Sequence, residues 1–234
     1  ICRKSIAPRH FQFLGLIVHI NLFDFLPARE DARKSRQFKE RAVQTYIEDR
    51  LQITDLMNGW IHRDLEQWQQ LADTFHPDGI IEITWFEGPF TEFIAGSKRM
   101  GGSDLRTKHL IGAPVVTFNG AKAIVETNAV IIAENAQLNL GCAVHNRFYD
   151  RVEKREGLWK IVKRQSIYDM GAFTFPSGPV EVDRAVVEKY PREYAALAYL
   201  LEKSGFPLSR VFATRGSGQE SKIKEEGNAW LNTD

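Results

Sequence analysis

Cysteine is scarce in this chain, which has 234 residues and only two cysteines, Cys2 and Cys142. The two lie far apart in sequence, so they make a poor disulfide framework and indicate a reducing, cytoplasmic compartment. Net charge is nearly absent as well, because 31 Lys and Arg face 30 Asp and Glu, which leaves +1. A chain without a basic excess gives no sign of binding nucleic acid or an anionic membrane surface.

The sequence also lacks the residue spacings that metal sites and phosphate-binding loops require. His76 and Asp78 have no further ligands at metal spacing, so no metal is expected. Gly101-Gly102 has neither the preceding strand nor the following lysine of a phosphate loop. A nucleophile elbow is missing too, and no cofactor is expected. What remains is chemistry that ordinary side chains can perform.

Residues 1–38 form an N-terminal extension with two interpretations. Basic residues precede a mostly apolar run over residues 11–26, as in a signal peptide. Polar residues interrupt the run, and it is shorter than the roughly 20 apolar residues of a membrane helix. The alternatives are an extension packed on the surface and a signal or anchor segment. The functional interpretation therefore rests on the remainder of the chain.

Helices dominate the pattern up to the first strand. Residues 29–61 have a helical pattern: the part up to residue 41 is charge-dense, and from Val43 to Trp60 apolar residues recur at spacings of three and four, as an amphipathic helix requires. A second helix is predicted over residues 65–74, ending at a Pro-Asp-Gly turn. A strand over residues 80–86 follows, rich in β-branched and aromatic residues. A short helix is predicted between residues 90 and 109.

The chain then changes to long alternating strands. They are predicted over residues 115–118, 121–133, 139–154 and 158–168. Asn119-Gly120 is a strong hairpin signal between the first two. Strands this long must twist and curl, which leaves a concave face that helices can close over. The predicted fold class is therefore α+β: a cone-like barrel of a strongly curved antiparallel sheet, with N-terminal helices closing one face and a C-terminal helical tail.

The barrel domain is predicted over residues 39–173 and the tail over residues 174–234. A helix over residues 181–205 carries an apolar stripe, and a last short helix is predicted over residues 220–231. The stripe consists of Tyr194, Leu197, Ala198 and Leu201. Since exposed leucines are unfavourable, the stripe is predicted to cover either the mouth of a pocket or a partner subunit.

Asp64 and His109 are the candidates for proton transfer. Asp64 follows an apolar helical face and stands four residues before Trp68, so desolvation is expected to raise its pKa and make it a better base. The alternative is that Asp64 caps the helix starting at Leu65. His109, predicted to begin a strand, can relay protons or hold a carboxylate. Its alternative is a purely structural histidine.

The predicted substrate-binding residues lie on or near the strands. His145, Asn146 and Tyr149 belong to the third long strand, where alternation places His145 and Tyr149 on one face and Asn146 on the other. Only one of these faces can line a pocket, and the sequence leaves open which. Trp85 and Tyr168 complete the set, with packing at the rim as the alternative for Tyr168.

A family resemblance joins these residues. Its motifs are Asp64 and Trp68, Phe75-His76-Pro77-Asp78, His109, Asn146-Arg147-Phe148-Tyr149-Asp150 and Gly157-Leu158-Trp159-Lys160-Ile161. Over roughly residues 40–173 they resemble the SnoaL-like, scytalone dehydratase-like branch of the nuclear transport factor 2-like superfamily. The resemblance implies that Asp64 and His109 form a catalytic dyad. Scytalone dehydratases carry Tyr before the dyad Asp where this chain has Arg63, so a different substrate is expected.

The resemblance predicts a cofactor-independent lyase of dehydratase type, acting on a small aromatic molecule in a mostly apolar cavity. His109 would be the base and Asp64 its orienting partner, while Tyr149 or Asn146 would polarise the leaving group. Two alternatives stay open: a polyketide cyclase or isomerase with Asp64 as the base, and a non-catalytic small-molecule-binding or dimerisation module. Besides its substrate, the chain is expected to bind its own copies as a dimer or trimer.

Overall fold

The computed structural model describes residues 26–233, so the predictions for residues 1–25 lie outside the described part of the chain. The first helix, α1, runs over Leu26–Asn58. The chain divides after Tyr46 into two compact units, and the site described below lies entirely in the second. In the second unit Ile53, Met57 and Trp60 are buried as the helical spacing predicts, whereas Leu51 is exposed.

The helix predicted over residues 65–74 is shorter in the structure, and a further short helix that was not predicted precedes it. The two helices are α2 over Ile61–Asp64 and α3 over Trp68–Asp73. Between them Glu66 adopts a positive φ of 57°, a conformation that interrupts a helix and is uncommon outside glycine. Gln67 turns back onto His62, whose Nδ1 lies 2.7 Å from its side-chain oxygen. The chain therefore changes direction immediately after Asp64.

Seven strands of the described residues form one sheet. Their bounds are β1 Phe75–Ile83, β2 Phe86–Pro89, β3 Leu105–Ile111, β4 Val115–Asn119, β5 Lys122–Asn135, β6 Leu140–Arg155 and β7 Leu158–Thr174. The order is β2-β1-β7-β6-β5-β3, and β4 also pairs with β5. The curled sheet with helices at both ends of the chain confirms the predicted fold class. It is mixed rather than wholly antiparallel, because β1 pairs with β7 in parallel.

Of the local signals in the sequence, the hairpin and the short helix are confirmed and one predicted turn is wrong. The Asn119-Gly120 hairpin is confirmed, with Gly120 at a φ of 58°, and the predicted short helix is α4 over Phe90–Gly101. The Pro-Asp-Gly turn is instead absorbed into β1, which starts at Phe75 and shifts register against β7 before Ile80. At Gly79 an added Cβ would lie 2.9 Å from the His76 carbonyl oxygen and 3.1 Å from that of Ile161. Only glycine fits this close approach of two strands.

The C-terminal tail covers both faces of the sheet. It contains α5 over Arg184–Val187, α6 over Ala195–Lys203 and α7 over Gly218–Leu231, so the helix predicted over residues 181–205 is two shorter ones. The apolar stripe of α6 is buried against inward-facing residues such as Ile131 and Val144. On the opposite face, α7 packs Leu231 against Tyr149 and Ile167. The stripe thus covers the chain's own sheet.

Candidate active site

A carboxylate and an imidazole meet on the inner face of the sheet. Nδ1 of His109 lies 2.7 Å from Oδ1 of Asp64, and the backbone N–H of His109 donates to Oδ2 of the same carboxylate at 2.7 Å. The two side chains are 7% and 1% exposed. Both carboxylate oxygens of Asp64 therefore contact His109, one through its ring and the other through its backbone, which fixes the position and the orientation of the imidazole.

The turn after α2 sets the direction of Asp64. The predicted alternative, a helix cap, is not found, because α3 begins at Trp68 and has no side-chain cap. Asp64 is the last residue of α2, and the positive φ at Glu66 carries the chain away from it. Its carboxylate is therefore available to the neighbouring strand.

Strand β3 supplies the histidine. This strand begins at Leu105, so His109 lies within it and does not begin it as predicted. His109 pairs with Ile131 of β5, and directly opposed residues project to the same face of a sheet. Since Ile131 belongs to the inner core, the imidazole points inward as well.

The hydrogen bond to Asp64 assigns the tautomer of His109. Nδ1 carries the proton and donates it, so Nε2 of the neutral ring is left as an acceptor. Burial lowers the pKa of His109 below its usual 6.5, and the positive charges of Arg63 and Arg164 lower it further, against the opposing effect of Asp64. At pH 7 the ring is neutral, the form in which Nε2 can take up a proton.

The pKa of Asp64 is lowered from its usual 3.8, contrary to the expectation that desolvation would raise it. Burial is the largest single influence and acts upward. The hydrogen bonds and charge of His109, together with the charge of Arg63, outweigh it. Nη1 of Arg63 lies 3.5 Å from Oδ1 of Asp64. An ionised carboxylate held in this way is a weak base but a good orienting group.

The imidazole lines a mostly apolar cavity. Its volume is ≈ 30 Å³ for the centre of a water-sized sphere, which corresponds to about two water molecules. Its walls come from the sheet, from α6 and from the helices that precede α6 in the chain. They are Trp60, Arg63, Ile83, Thr84, Trp85, Met100, Thr107, His109, Ile131, Phe148, Ser166, Tyr168, Leu197 and Leu201. Leu197 and Leu201 place the predicted α6 stripe at this cavity.

Four hydroxyl-bearing residues, Thr84, Thr107, Ser166 and Tyr168, form a polar part of the cavity wall. The hydroxyl of Tyr168 accepts a hydrogen bond from the backbone N–H of Thr84 at 3.1 Å, and Ser166 accepts one from Asn146 Nδ2 at 3.1 Å. Burial raises the pKa of Tyr168, so its hydroxyl keeps its proton and can donate. The cavity therefore joins one proton acceptor, His109, with a potential proton donor.

A buried ion pair lies beneath the aromatic wall. Nε and Nη2 of Arg164 lie 2.8 Å from the two carboxylate oxygens of Asp150, and both side chains are inaccessible to solvent. The guanidinium carbon lies 4.3 Å from the ring centre of Phe148 and 4.8 Å from that of Trp60. Arg164 and Trp60 were not predicted from the sequence as parts of the site. The position of Trp60, four residues before Asp64, was the available helical-spacing signal.

Two predicted substrate-binding residues lie on the face of the sheet opposite to the one that carries His109. His145 pairs with Val130 and is exposed, and Tyr149 is buried under α7 against Gly227, where no side chain would fit. The strict alternation of β6 turns both away from His109, because Val144 and Phe148 take the inward positions. Neither residue reaches the cavity.

The other three predicted binding residues lie on the cavity side. Trp85 and Tyr168 line the cavity directly. Trp85 packs so closely on α4 that a Cβ at Gly96 would lie 2.9 Å from its ring. Asn146 is buried on the inner face of β6, but it reaches the cavity only through its hydrogen bond to Ser166. The structure therefore gathers Asp64, His109, Trp85 and Tyr168 at one place and puts Asn146 behind them.

Residues 26–233 contain neither a cluster of metal ligands nor a membrane-spanning helix. Within that range no three His, Cys, Asp or Glu side chains are grouped so as to hold a metal ion. None of the helices in that range combines the length and the apolar character needed to cross a membrane. Cys142 is a buried thiol, and burial raises its pKa to about 12.

Comparison with known families supports the resemblance predicted from the motifs. A family model described as SnoaL-like domain matches residues 45–165. Pea pathogenicity protein 2 of Fusarium vanettenii is similar to this chain, with 25% identity over 181 residues, which are 74% of this chain and 78% of that protein. The SnoaL-like resemblance is thereby confirmed.

Two solved structures share the fold. One is a protein of Novosphingobium aromaticivorans provisionally described as a scytalone dehydratase, with a TM-score of 0.50 and 19% identity, covering 59% of this chain and 99% of that one. The other is LinA, with a TM-score of 0.50 and 20% identity, covering 60% and 97% respectively. At these identities the likeness shows a common fold.

Proposed function

The chain belongs to the SnoaL-like domain family, and on that premise we propose that it is a cofactor-independent lyase of dehydratase type. The proposal concerns a small aromatic molecule bound in the cavity beside His109. The observation that carries it is the buried 2.7 Å contact between Asp64 and Nδ1 of His109, which leaves Nε2 as the proton acceptor at the cavity. One structural neighbour, from Novosphingobium aromaticivorans, is provisionally described as a scytalone dehydratase, and a dehydratase reaction agrees with this chemistry.

The proposed reaction is a proton abstraction coupled to an elimination. Nε2 of His109 takes a proton from a substrate carbon, and the electron pair of the broken C–H bond forms a carbon–carbon double bond. The leaving group departs from the adjacent carbon with its bonding electrons, as hydroxide or halide. Tyr168 donates a hydrogen bond to that group. A departing hydroxide takes the proton from Nε2 of His109 and becomes water, whereas after loss of a halide that proton is released to solvent; in both cases the imidazole returns to its neutral form. Asp64 stabilises the imidazolium that forms, as in other acid–base triads.

The alternative with Asp64 as the base, a cyclase or isomerase, fits the geometry less well. Both carboxylate oxygens of Asp64 are engaged by His109, and the pKa of Asp64 is lowered. A carboxylate with a depressed pKa accepts a proton poorly. His109 has the opposite properties, since burial keeps it neutral and Nε2 is not committed to Asp64.

The second alternative, a non-catalytic binding module, would use the same cavity. The cavity has room for about two water molecules, so an aromatic substrate fits only if a wall moves. The two readings differ in what happens to a bound C–H acid, because a module would bind it without removing a proton.

Hydrogen–deuterium exchange tests the base without knowledge of the leaving group. Purified protein is incubated in D₂O with aromatic ketones such as 2-tetralone and 1-indanone, and deuterium uptake at the acidic carbon is followed by NMR. We expect exchange above the buffer rate, unchanged in His145→Ala and reduced to the buffer rate in His109→Ala. The control histidine lies on the opposite face of the sheet. Equal exchange by His109→Ala and the wild type would contradict the mechanism.

Three broader proposals accompany this function. The barrel domain of residues 39–173 and the tail of residues 174–234 would act as one catalytic unit, since both line the cavity. The compartment would be the cytoplasm, in keeping with a buried thiol at Cys142. The chain would associate with its own copies, which size-exclusion chromatography with light scattering measures directly.

A further inference from the structure

A second, larger space lies next to the dyad. It is a cleft of ≈ 230 Å³ for the centre of a water-sized sphere, with exposed residues such as Glu66, Gly101 and Arg106 at its rim. Arg63, Met100 and Thr107 line both this cleft and the cavity of His109. These three residues therefore form the partition between the outer cleft and the inner cavity.

The partition is held by three polar contacts of Arg63, one of which joins its Nη1 to Oδ1 of Asp64 at 3.5 Å. Arg63 donates a hydrogen bond to Thr107, and its Nη2 lies 3.4 Å from the sulfur of Met100. Both Arg63 and Met100 have unbranched, flexible side chains, and methionine adapts readily to a changed surrounding. A move of the Arg63 guanidinium into the cleft would also restore its contact with water, which burial now restricts.

The opposite wall of the cavity, α6, resists opening. Leu197 and Leu201 are 3% and 2% exposed, and they belong to a cluster that includes most of α6 and the inner residues of β5 and β6. Lifting α6 would expose this entire apolar surface at once, whereas the partition opens when two side chains turn. The least costly path to His109 therefore leads through the outer cleft.

The outer cleft has the features of a binding site. Ser97 lines it and is 2% exposed, and its hydroxyl has no hydrogen-bonding partner among the described residues. Buried hydroxyls in proteins are normally paired. Trp68 contributes an aromatic wall, with Lys98 6.0 Å from its ring centre. The charges of Arg63 and Arg106 are balanced by those of Asp64 and Glu66, which favours an uncharged ligand with a polar oxygen.

We propose that the outer cleft is the binding subsite and the access route for the substrate: an uncharged aromatic molecule with a hydroxyl or carbonyl oxygen binds between Trp68 and Ser97 and reaches His109 when Arg63 and Met100 turn aside. The reaction at the end of this route rests on the proposed function. The route itself does not, because the accessibility of His109 can be measured without any turnover.

Two adjacent glycines provide a matched blocking experiment. Gly101 lines the cleft, and a Cβ there meets only the Glu66 side chain, at 3.4 Å, whereas the next residue, Gly102, does not line it. Gly101→Phe therefore places a ring in the cleft, and Gly102→Phe places the same ring outside it. Both variants of the full chain are treated with diethyl pyrocarbonate at pH 7, and the modification rate of His109 is measured by peptide mass spectrometry. The modification rate of exposed His145 serves as the internal reference for the effective concentration of the reagent.

We expect Gly101→Phe to slow the modification of His109 at least about tenfold, because the rate is proportional to the fraction of molecules in which the route is open. Gly102→Phe should leave the rate unchanged. The probe 2-naphthol should protect His109 in the wild type and protect it less in Ser97→Ala. Equal rates in the two phenylalanine variants would overturn the proposed route. Equal protection in Ser97→Ala would overturn the proposed subsite.

Opening variants test the same partition from the other direction. Met100→Ala and Leu201→Ala each remove a buried side chain from the cavity wall, the first on the cleft side and the second on α6. Faster modification of His109 in Met100→Ala, with an unchanged rate in Leu201→Ala, supports the route. The rates are compared between variants whose circular dichroism spectra match that of the wild type. Faster modification in Leu201→Ala, or in neither, contradicts it. Slow deuterium exchange with an intact route would instead reject the proposed function.

Discussion

The guanidinium of Arg164 lies 4.8 Å from the ring centre of Trp60, and the indole of Trp60 stands at 89° to the imidazole of His109, with 5.7 Å between ring centres. A buried cation is thus connected to the proposed base through one aromatic side chain. Its carboxylate partner Asp150 lies on the opposed position of β6. The stability of the barrel interior and the basicity of His109 consequently depend on the same ion pair.

Removing the orienting carboxylate should impair the base. In Asp64→Asn the bonds to Nδ1 and to the backbone of His109 lose their charge, and the amide no longer stabilises the imidazolium. We expect exchange or turnover to fall by on the order of 10²-fold or more, a typical general acid–base contribution. The double variant with His109→Ala should be little slower than His109→Ala alone, because the pair acts as a unit. Additive losses would show that the two residues act separately.

The lowered pKa of His109 gives stability a defined pH dependence. Unfolded His109 titrates near 6.5, whereas burial depresses the pKa in the folded chain, so below pH 6.5 the unfolded state binds a proton that the folded state does not. The free energy of unfolding should therefore decrease as the pH falls from about 6.5 toward the folded pKa. Urea titrations at pH 8 and pH 5.5 measure it. In His109→Gln this decrease should be smaller, and an identical decrease would mean that other groups cause it.

Breaking the Arg164–Asp150 pair should be costly. Arg164→Met leaves an uncompensated carboxylate in a site that is 0% exposed, and such losses destabilise proteins by about 3–5 kcal/mol. The double change Arg164→Met with Asp150→Leu should recover much of that loss, because neither charge is then buried. Denaturant unfolding measures both variants, with Arg155→Met at the exposed pair with Asp78 as the control. A double variant as unstable as the sum of the two single ones would contradict this account.

Removing the positive charge of Arg164 should raise the pKa of His109. The positive charge of Arg164 is one of the causes that lower it, so its removal favours the imidazolium. NMR titration of the histidine ring protons in Arg164→Lys and wild type can separate this effect from unfolding, because lysine preserves the charge. The pKa should stay nearer the wild-type value in Arg164→Lys than in a folded Arg164→Gln variant. A shift of equal size in both would point to packing rather than charge.

Periodicity and turn chemistry predicted most of the sheet, but not the features that depend on which strands pair with each other. The long strands and the Asn119-Gly120 hairpin follow from alternation and a positive φ, both properties of a few neighbouring residues. The parallel pairing of β1 with β7 joins segments that are distant in sequence, so no local pattern reveals it. The turn signal at Pro77 was wrong because a register shift and Gly79 let the strand continue through it.

For the site, the sequence identified the pair and could not orient its neighbours. Asp64 and His109 were found by spacing and resemblance, yet the face of β6 that lines the cavity depends on register. A shift of one residue moves every side chain to the other face, which is why His145 and Tyr149 were chosen as readily as Asn146. The pKa of Asp64 was expected in the wrong direction because its hydrogen bonds to His109 depend on tertiary structure.

Helix α7 leads to a last prediction, about self-association. Its residue Leu231 is 6% exposed and packs on the outer face of the sheet with Ile124 and Tyr149. Removing residues 218–234 uncovers this apolar face, and exposed patches of that kind promote association. We expect the shortened protein to unfold at a lower temperature and to show a larger assembly by light scattering than the full chain. The substitution Glu225→Ala, at an exposed position on α7, is the control that leaves the packed face intact. If the shortened protein keeps the wild-type assembly size and unfolding temperature, then α7 does not protect the sheet, and self-association depends on another surface.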